Sequence, residues 1–255
     1  MHEFSSQNMR LAYIDEPSAI ESRDVPVLLI HGFASSHAIN WVFTRWVKIL
    51  TEAGHRVIAF DNRGHGRSDK LYDRDAYAIP LMADDARNLL DHLGIARADV
   101  MGYSMGARIA AFLAKSYPER VRSLILGGIG DNLITGGSVL NGVAEAMEAP
   151  SIDVLTDPIQ KMFRQFAEAT KSDLKALAAC SRGARQGLSE EELRKIDLPV
   201  LIALGTKDAV AGDSKRIGAL LPHARMLAIP DRDHNRAVGD TVYKRGVIEF
   251  LNGLE

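Results

Sequence analysis

The chain has 255 residues, 46% of them hydrophobic, and a formal net charge of −2. This suffices for one large α/β domain or two small ones, and so balanced a charge offers no strong field to nucleic acid or an anionic membrane. The single cysteine, Cys180, excludes an internal disulfide and fits a reducing compartment. The opening residues Met1-His2-Glu3-Phe4-Ser5-Ser6 carry neither a basic region nor an apolar stretch, so they are not read as a secretory signal. No run approaches the roughly 18 apolar residues of a membrane span. The expectation is a cytoplasmic protein with no nucleic-acid partner and no membrane span.

In chain order, residues 9–14 alternate and predict an early antiparallel strand. The continuous apolar run 25–30 has the character of a strand buried on both faces. Further strands are predicted at 56–60, 99–101, 121–126, 200–204 and 224–229, with helix-like stretches near 40–53, 80–93, 105–116, 213–220 and 240–252. Such alternation implies a mostly parallel sheet with helices on both faces. In the stretch after residue 104, Ala107, Ala110, Ala111 and Ala114 recur at helical spacing, so this helix is expected to lie close to the sheet. The interval 131–197 breaks the pattern. It follows the glycines 127, 128 and 130, contains Gly136 and Gly137, and continues as helix-like pieces at 139–147, 158–170, 173–180 and 189–196. The last piece opens with a capping box, Ser189 with Glu192. The reading is an α/β core of residues 1–130 and 198–255 with a small helical cap inserted at 131–197.

Gly102-Tyr103-Ser104-Met105-Gly106 stands between an apolar run and a helix-forming stretch. Serine at so tight a strand-to-helix turn holds a strained backbone, and glycine two residues to either side permits the close approach. The hydroxyl then stands at a helix start, where free N–H groups can receive negative charge. A serine hydroxyl needs a base, and the base an orienting group. Reactive residues of such sheets sit on loops at the carboxyl ends of the strands. Asp208, after the run 200–204, and His234, after 224–229, are in position to serve as orienting acid and base. His65 is the rival base and Asp131 the rival acid. Asp231 and Asp233 lie too near His234 in sequence and read as turn residues. The N–H of Met105, next after the serine, is one expected oxyanion donor. No metal set emerges, since His31 and His37, and His55 and His65, lack ligand spacing and have no carboxylate cluster. Arg232 and Arg236 are read as solvated surface charge. Met147, Met162, Phe163 and Phe166 suggest either an apolar lining or packing within the cap.

The ordered set His31-Gly32-Phe33, Asp61-Asn62-Arg63-Gly64-His65-Gly66-Arg67-Ser68, Gly102 to Gly106, Asp208 and His234 resembles the α/β-hydrolase fold superfamily, in its small single-domain serine esterase-like branch. The resemblance runs from about residue 9 to 251. It implies an eight-stranded sheet whose second strand is antiparallel, a structural role for the turn that holds His65, and Phe33 N–H as the second oxyanion donor. His31 is read as structural or pocket-lining.

The function read from these residues is cofactor-free hydrolysis of a carboxylic ester or related acyl bond in a small-molecule substrate, through a Ser104–His234–Asp208 triad and an acyl-enzyme. The alternatives of the same fold are a carbon–carbon bond hydrolase or lyase, a cofactor-free haloperoxidase (perhydrolase), and a slow-turnover small-molecule receptor. Epoxide and haloalkane hydrolases of this fold attack with aspartate, which position 104 does not provide.

Overall fold

The computed structural model describes residues 1–21, 23–136 and 142–254. Eight strands form one sheet: β1 (His2–Ser6), β2 (Met9–Glu16), β3 (Val27–Ile30), β4 (Val57–Phe60), β5 (Ala98–Tyr103), β6 (Val121–Gly127), β7 (Val200–Gly205) and β8 (Ala224–Ile229). Their spatial order is β1-β2-β4-β3-β5-β6-β7-β8. β2 runs antiparallel to both β1 and β4, and every pairing from β4 through β8 is parallel. β1 is an addition to the sequence reading, because its short, half-polar run HEFSS carries little periodic signal. The apolar run at 25–30 contributes only its last four residues to the sheet.

β3 shows why continuous apolar runs mark buried strands. All four of its residues are buried; Leu28 and Ile30 join one hydrophobic cluster, Val27 and Leu29 the other. Successive side chains leave opposite faces, so a strand covered on both sides needs apolar residues throughout. Helices α1 (Trp46–Glu52) and α11 (Thr241–Asn252) supply Trp46, Leu50, Tyr243 and Val247 to one cluster. Helices α2 (Ile79–His92) and α3 (Met105–Ser116) supply Met82, Ala86, Ile109 and Ala110 to the other. The stretch near 40–53 is not one helix. A short helical turn, Ala38–Val42, is separated from α1 by Arg45 at φ 69°.

Between β6 and β7 the described residues hold helices only: α4 (Asn132–Thr135), α5 (Val143–Glu148), α6 (Pro158–Ala169), α7 (Leu174–Gly183), α8 (Glu190–Arg194) and a single 3₁₀ turn, Ile152–Val154. Of the helix read at 139–147, residues 139–141 lie outside the described residues, as does Gly137. The capping box forms, with Ser189 Oγ accepting from Glu192 N–H and Glu192 Oε2 from Ser189 N–H at 2.9 Å. After β7 come α9 (Ser214–Leu220) and, after β8, α10 (His234–Ala237).

The loops leaving β3 and β4 are locked together by buried polar groups. His31 Nδ1 donates to Gly32 O at 2.8 Å, while its Nε2 accepts from Asn62 N–H at 3.0 Å. Asp61 accepts from His37 through both N–H and Nδ1, and from Arg67 N–H. Beneath them Arg63 pairs with Asp85 through two bonds of 2.7 and 2.8 Å. Burial lowers the His31 imidazole to about 4, against the partial opposition of Asp61, and lowers His65 to about 3, with His31 adding repulsion. Both rings are therefore neutral in the folded chain.

Two expectations follow. A Cβ on Gly102 would overlap the Gly106 carbonyl oxygen, and one on Gly106 the Ile30 carbonyl oxygen. Gly106→Ala should therefore cost about 2–4 kcal/mol of stability, read as a drop in the urea midpoint. Unfolded histidines bind protons near pH 6.5 that folded His31 and His65 refuse. Stability should then fall as pH drops from about 6.5 towards 4, by up to about 1.4 kcal/mol per pH unit for each ring, in urea melts across that range.

Candidate active site

Ser104 occupies the turn between β5 and α3 with φ 55° and ψ −115°, a backbone conformation that L residues rarely adopt. The strain persists because the chain on either side is pinned. Ser104 N–H donates to Gly127 O at 2.8 Å, and Ser104 O accepts from the N–H groups of Ala107 and Arg108. The side chain is thereby lifted out of the sheet and into the opening above its carboxyl edge.

Three side chains meet there. Ser104 Oγ lies 3.0 Å from His234 Nε2, and His234 Nδ1 lies 2.8 Å from Asp208 Oδ2. The second contact fixes the tautomer. A carboxylate oxygen can only accept, so Nδ1 carries the proton and Nε2 faces the serine hydroxyl with a lone pair. The Asp208 side chain is wholly buried, and its other oxygen accepts from Val210 and Ala211 N–H at 2.9 and 3.0 Å. The imidazole is held from behind as well. Tyr103 Oη donates to the His234 carbonyl at 2.6 Å, with its ring 5.4 Å from the imidazole. Burial, with Asp208 nearby, pushes the Tyr103 phenol well above its ordinary range, so it remains a donor. Asp233 caps α10 by accepting from Arg236 N–H, which presents His234 in the first turn of that helix.

The rival residues are engaged elsewhere. Asp131 Oδ1 accepts from Asp213 N–H at 3.1 Å. His65 Nδ1 donates to Arg63 O at 2.9 Å, and its ring packs against His31 and Phe33. Asp231 sits at φ 56° in the turn before α10, its N–H on Thr206 Oγ1. Arg232 pairs with Asp240 at 2.6 Å, and the Arg236 side chain is 78% exposed.

Met105 opens α3, where its N–H has no preceding helical carbonyl to meet. Gly32 brings the β3 loop alongside: a Cβ there would lie 3.1 Å from Tyr103 O and 3.4 Å from Ser104 Cβ. Gly32 N–H is anchored on Asn40 Oδ1 at 2.8 Å, which orients the following Phe33 peptide. Neither Tyr103 nor Asn40 was singled out in the sequence. Each acts through one bond to backbone, and no spacing rule marks such a residue.

Ser104 lies between two adjoining pockets. Phe33, Ser104 and Phe163 line both. The first continues past Met105, Arg108, Cys180 and Arg185, the second past Asn40, Phe166 and His234. Phe163 and Phe166 therefore do line the opening, whereas Met147 is packed in the core and Met162 lies against it. Cys180 is buried, its Sγ 3.7 Å from Met105 Sδ, and burial raises its thiol far from reactivity. Among the described residues no group of three or more His, Cys, Asp or Glu is placed to hold a metal ion, and no helix is long and apolar enough to cross a membrane.

The pattern describing the alpha/beta hydrolase fold matches residues 25–136. The chain is 31% identical over 229 residues to the dihydrolipoyllysine-residue acetyltransferase component of the acetoin cleaving system of Pseudomonas putida, a match that takes in 82% of this chain and 58% of that protein. It is 26% identical to a putative 2-succinyl-6-hydroxy-2,4-cyclohexadiene-1-carboxylate synthase of Bacillus subtilis, over 98% of this chain and 97% of the other. Among solved structures, a carboxylesterase of the thaumarchaeon Nitrososphaera gargenis superposes with a TM-score of 0.79 at 22% identity, over 99% and 98% of the two chains. With the eight-stranded sheet and the strained serine turn, these likenesses show that the chain has the alpha/beta hydrolase fold.

Proposed function

We propose that the protein is a serine hydrolase that cleaves a carboxylic ester, or a related acyl bond, in a small-molecule substrate. One observation carries this reading: the unbroken relay from Ser104 Oγ through His234 to a buried, doubly held Asp208, at the junction of two cavities. His234 Nε2 takes the hydroxyl proton as Ser104 attacks the carbonyl carbon. The resulting oxyanion accepts from the N–H groups of Met105 and Phe33, a pair of donors each worth about 10²–10³ in rate. His234 then protonates the leaving alcohol, and the acyl-enzyme forms. The same imidazole next deprotonates water, which attacks the acyl carbon and frees Ser104. Asp208 stabilises the imidazolium throughout without taking its proton.

The two cavities divide the substrate. Because the leaving group must meet the proton on His234 Nε2, it lies on the side His234 lines, and the acyl chain takes the cavity beside Met105. The helical segment 131–197 is read as the cap that closes over both. A reducing cytoplasm suits the single buried thiol.

A second reading has a specific observation behind it. The likeness to the Bacillus subtilis synthase spans nearly the whole of both chains, and the same relay could serve lyase or carbon–carbon bond chemistry. Turnover of a vinylogous diketone in preference to every ester of a graded series would move the assignment there.

For the hydrolase reading, a fluorophosphonate should label Ser104, and Ser104→Ala should lose label and about 10⁴-fold or more of ester turnover with its fold intact by circular dichroism. Asp208→Asn should lose roughly 10³–10⁴-fold by presenting the wrong tautomer, while Asp131→Asn should stay within about tenfold of the parent, since Asp131 touches none of the relay. Near-normal turnover by Ser104→Ala would overturn the assignment.

A further inference from the structure

Three arginines are buried among the described residues: Arg63, Arg108 and Arg164. Arg63 is matched by Asp85 and Arg164 by Glu168, each pair at 2.7 Å. Arg108 has no carboxylate partner among the described residues. Its Nη1 donates to Gly136 O and Ala184 O at 3.2 and 3.0 Å, and its Nη2 to Asn132 O at 3.0 Å. Its buried Nε–H has no partner. A guanidinium has five N–H groups, so the three bonds leave donors in hand as well as a whole positive charge. Burial, with Arg185 adding repulsion, lowers the Arg108 group only to about 10, so it stays charged at neutral pH. An uncompensated buried cation is costly, and neutral donors would serve three backbone carbonyls equally well.

The place of this charge is informative. Arg108 lies four residues past Ser104 on α3, one helical turn along the same face, and it lines the cavity beside Met105. Arg185, just beyond α7, lines the same cavity, and its Nε donates to Ser181 O at 2.7 Å. The walls between are apolar, from Phe33, Ile129, Val143 and Phe163. Among the described residues that line the second cavity, on the leaving-group side, there is no arginine.

Building on the hydrolase reading above, we infer that the acyl cavity is a carboxylate subsite. Arg108, with Arg185 beside it, receives the far carboxylate of an acyl chain whose other end is attacked by Ser104. The natural substrate is then a monoester, or an equivalent acyl derivative, of a dicarboxylic acid. One helical turn, about 5.4 Å, together with the reach of the side chains, sets the diacid at roughly four to six carbons. The carboxylate supplies the counter-charge that Arg108 lacks, and the apolar walls take the methylenes between. A guanidinium suits this task through its planar donors and weak hydration.

The test pairs each mono-4-nitrophenyl ester of succinate, glutarate and adipate with the neutral 4-nitrophenyl ester of the same carbon count. In at least one pair, kcat/KM for the charged ester should exceed that for the neutral one by tenfold or more, chiefly through KM. Arg185→Gln should shrink that ratio several-fold, and Arg108→Gln should bring it to one or below; Arg108→Lys should restore part of it. Glutarate should inhibit turnover of the neutral ester competitively, at least tenfold better than valerate, which carries a methyl in place of the second carboxylate. Calorimetry on the unsubstituted protein needs neither turnover nor a folded variant, and there glutarate should bind at least tenfold tighter than valerate.

If neutral esters are cleaved and Ser104 is labelled, but no pair favours the charged ester and glutarate behaves like valerate, the subsite falls and the hydrolase stands. If Ser104 is neither labelled nor active, the hydrolase reading falls, and equal binding of glutarate and valerate would overturn the subsite as well. Inorganic phosphate binding as tightly as glutarate would make this a general anion site and overturn the dicarboxylate assignment.

Discussion

The turn at Ser104 governs the architecture of the whole opening. A non-glycine residue held at φ 55° stores strain of the order of 1–3 kcal/mol, and only its surroundings can keep it there. Those surroundings are backbone. Gly102 passes against Gly106, and Gly106 against the end of β3, at distances that leave no room for a side chain. The same close approach lets α3 descend directly onto the sheet, where Ile109, Ala110 and Ala111 are fully buried. One constraint therefore sets four things: the placement of the half-buried hydroxyl, the free N–H of Met105, the course of α3 over the core, and the position of Arg108 one turn along.

Around that turn the structure relies on polar groups held by specific partners. Asp208 is held by two backbone amides and so presents a single oxygen to His234. Tyr103 holds the His234 backbone, and Asp233 starts the short helix that carries it. Across the opening, His31 and Asp61 tie two loops together, and Asn40 anchors Gly32 just before Phe33. Such groups add little net stability when satisfied but cost much when orphaned, so together they define one arrangement. Arg108 departs from this pattern. Among the described residues its charge has no carboxylate partner, and it lines the pocket beside Met105.

The elements most legible in the sequence are those with a single physical cause. Continuous apolar runs at β3 and β4 arise because both faces are covered, and those strands form with short boundary differences. The helices α2, α3 and α11 lie where apolar spacing put them. Less legible are elements in which local signals compete. β1 is short and half polar. The stretch near 40–53 is broken at Arg45, whose left-handed backbone no composition signal announces. At the candidate site, the serine turn carries its own marker, the two glycines. Asp208 and His234 were readable from their positions after strands. Tyr103 and Asn40 were not, since a bond to a backbone atom leaves no spacing to detect.

By itself the sequence determined the layered sheet, the strained turn and the candidate residues that the fold brings together, because these depend on local pattern and on chain order. Chain position favoured Asp208 over Asp131, but which aromatics line the opening rather than the core, and which buried cation lacks a carboxylate among the described residues, were decided by tertiary structure alone. Those are questions of distance between segments remote in the chain. Asp208 and Asp131 differ little as letters, but only one of them stands 2.8 Å from an imidazole nitrogen.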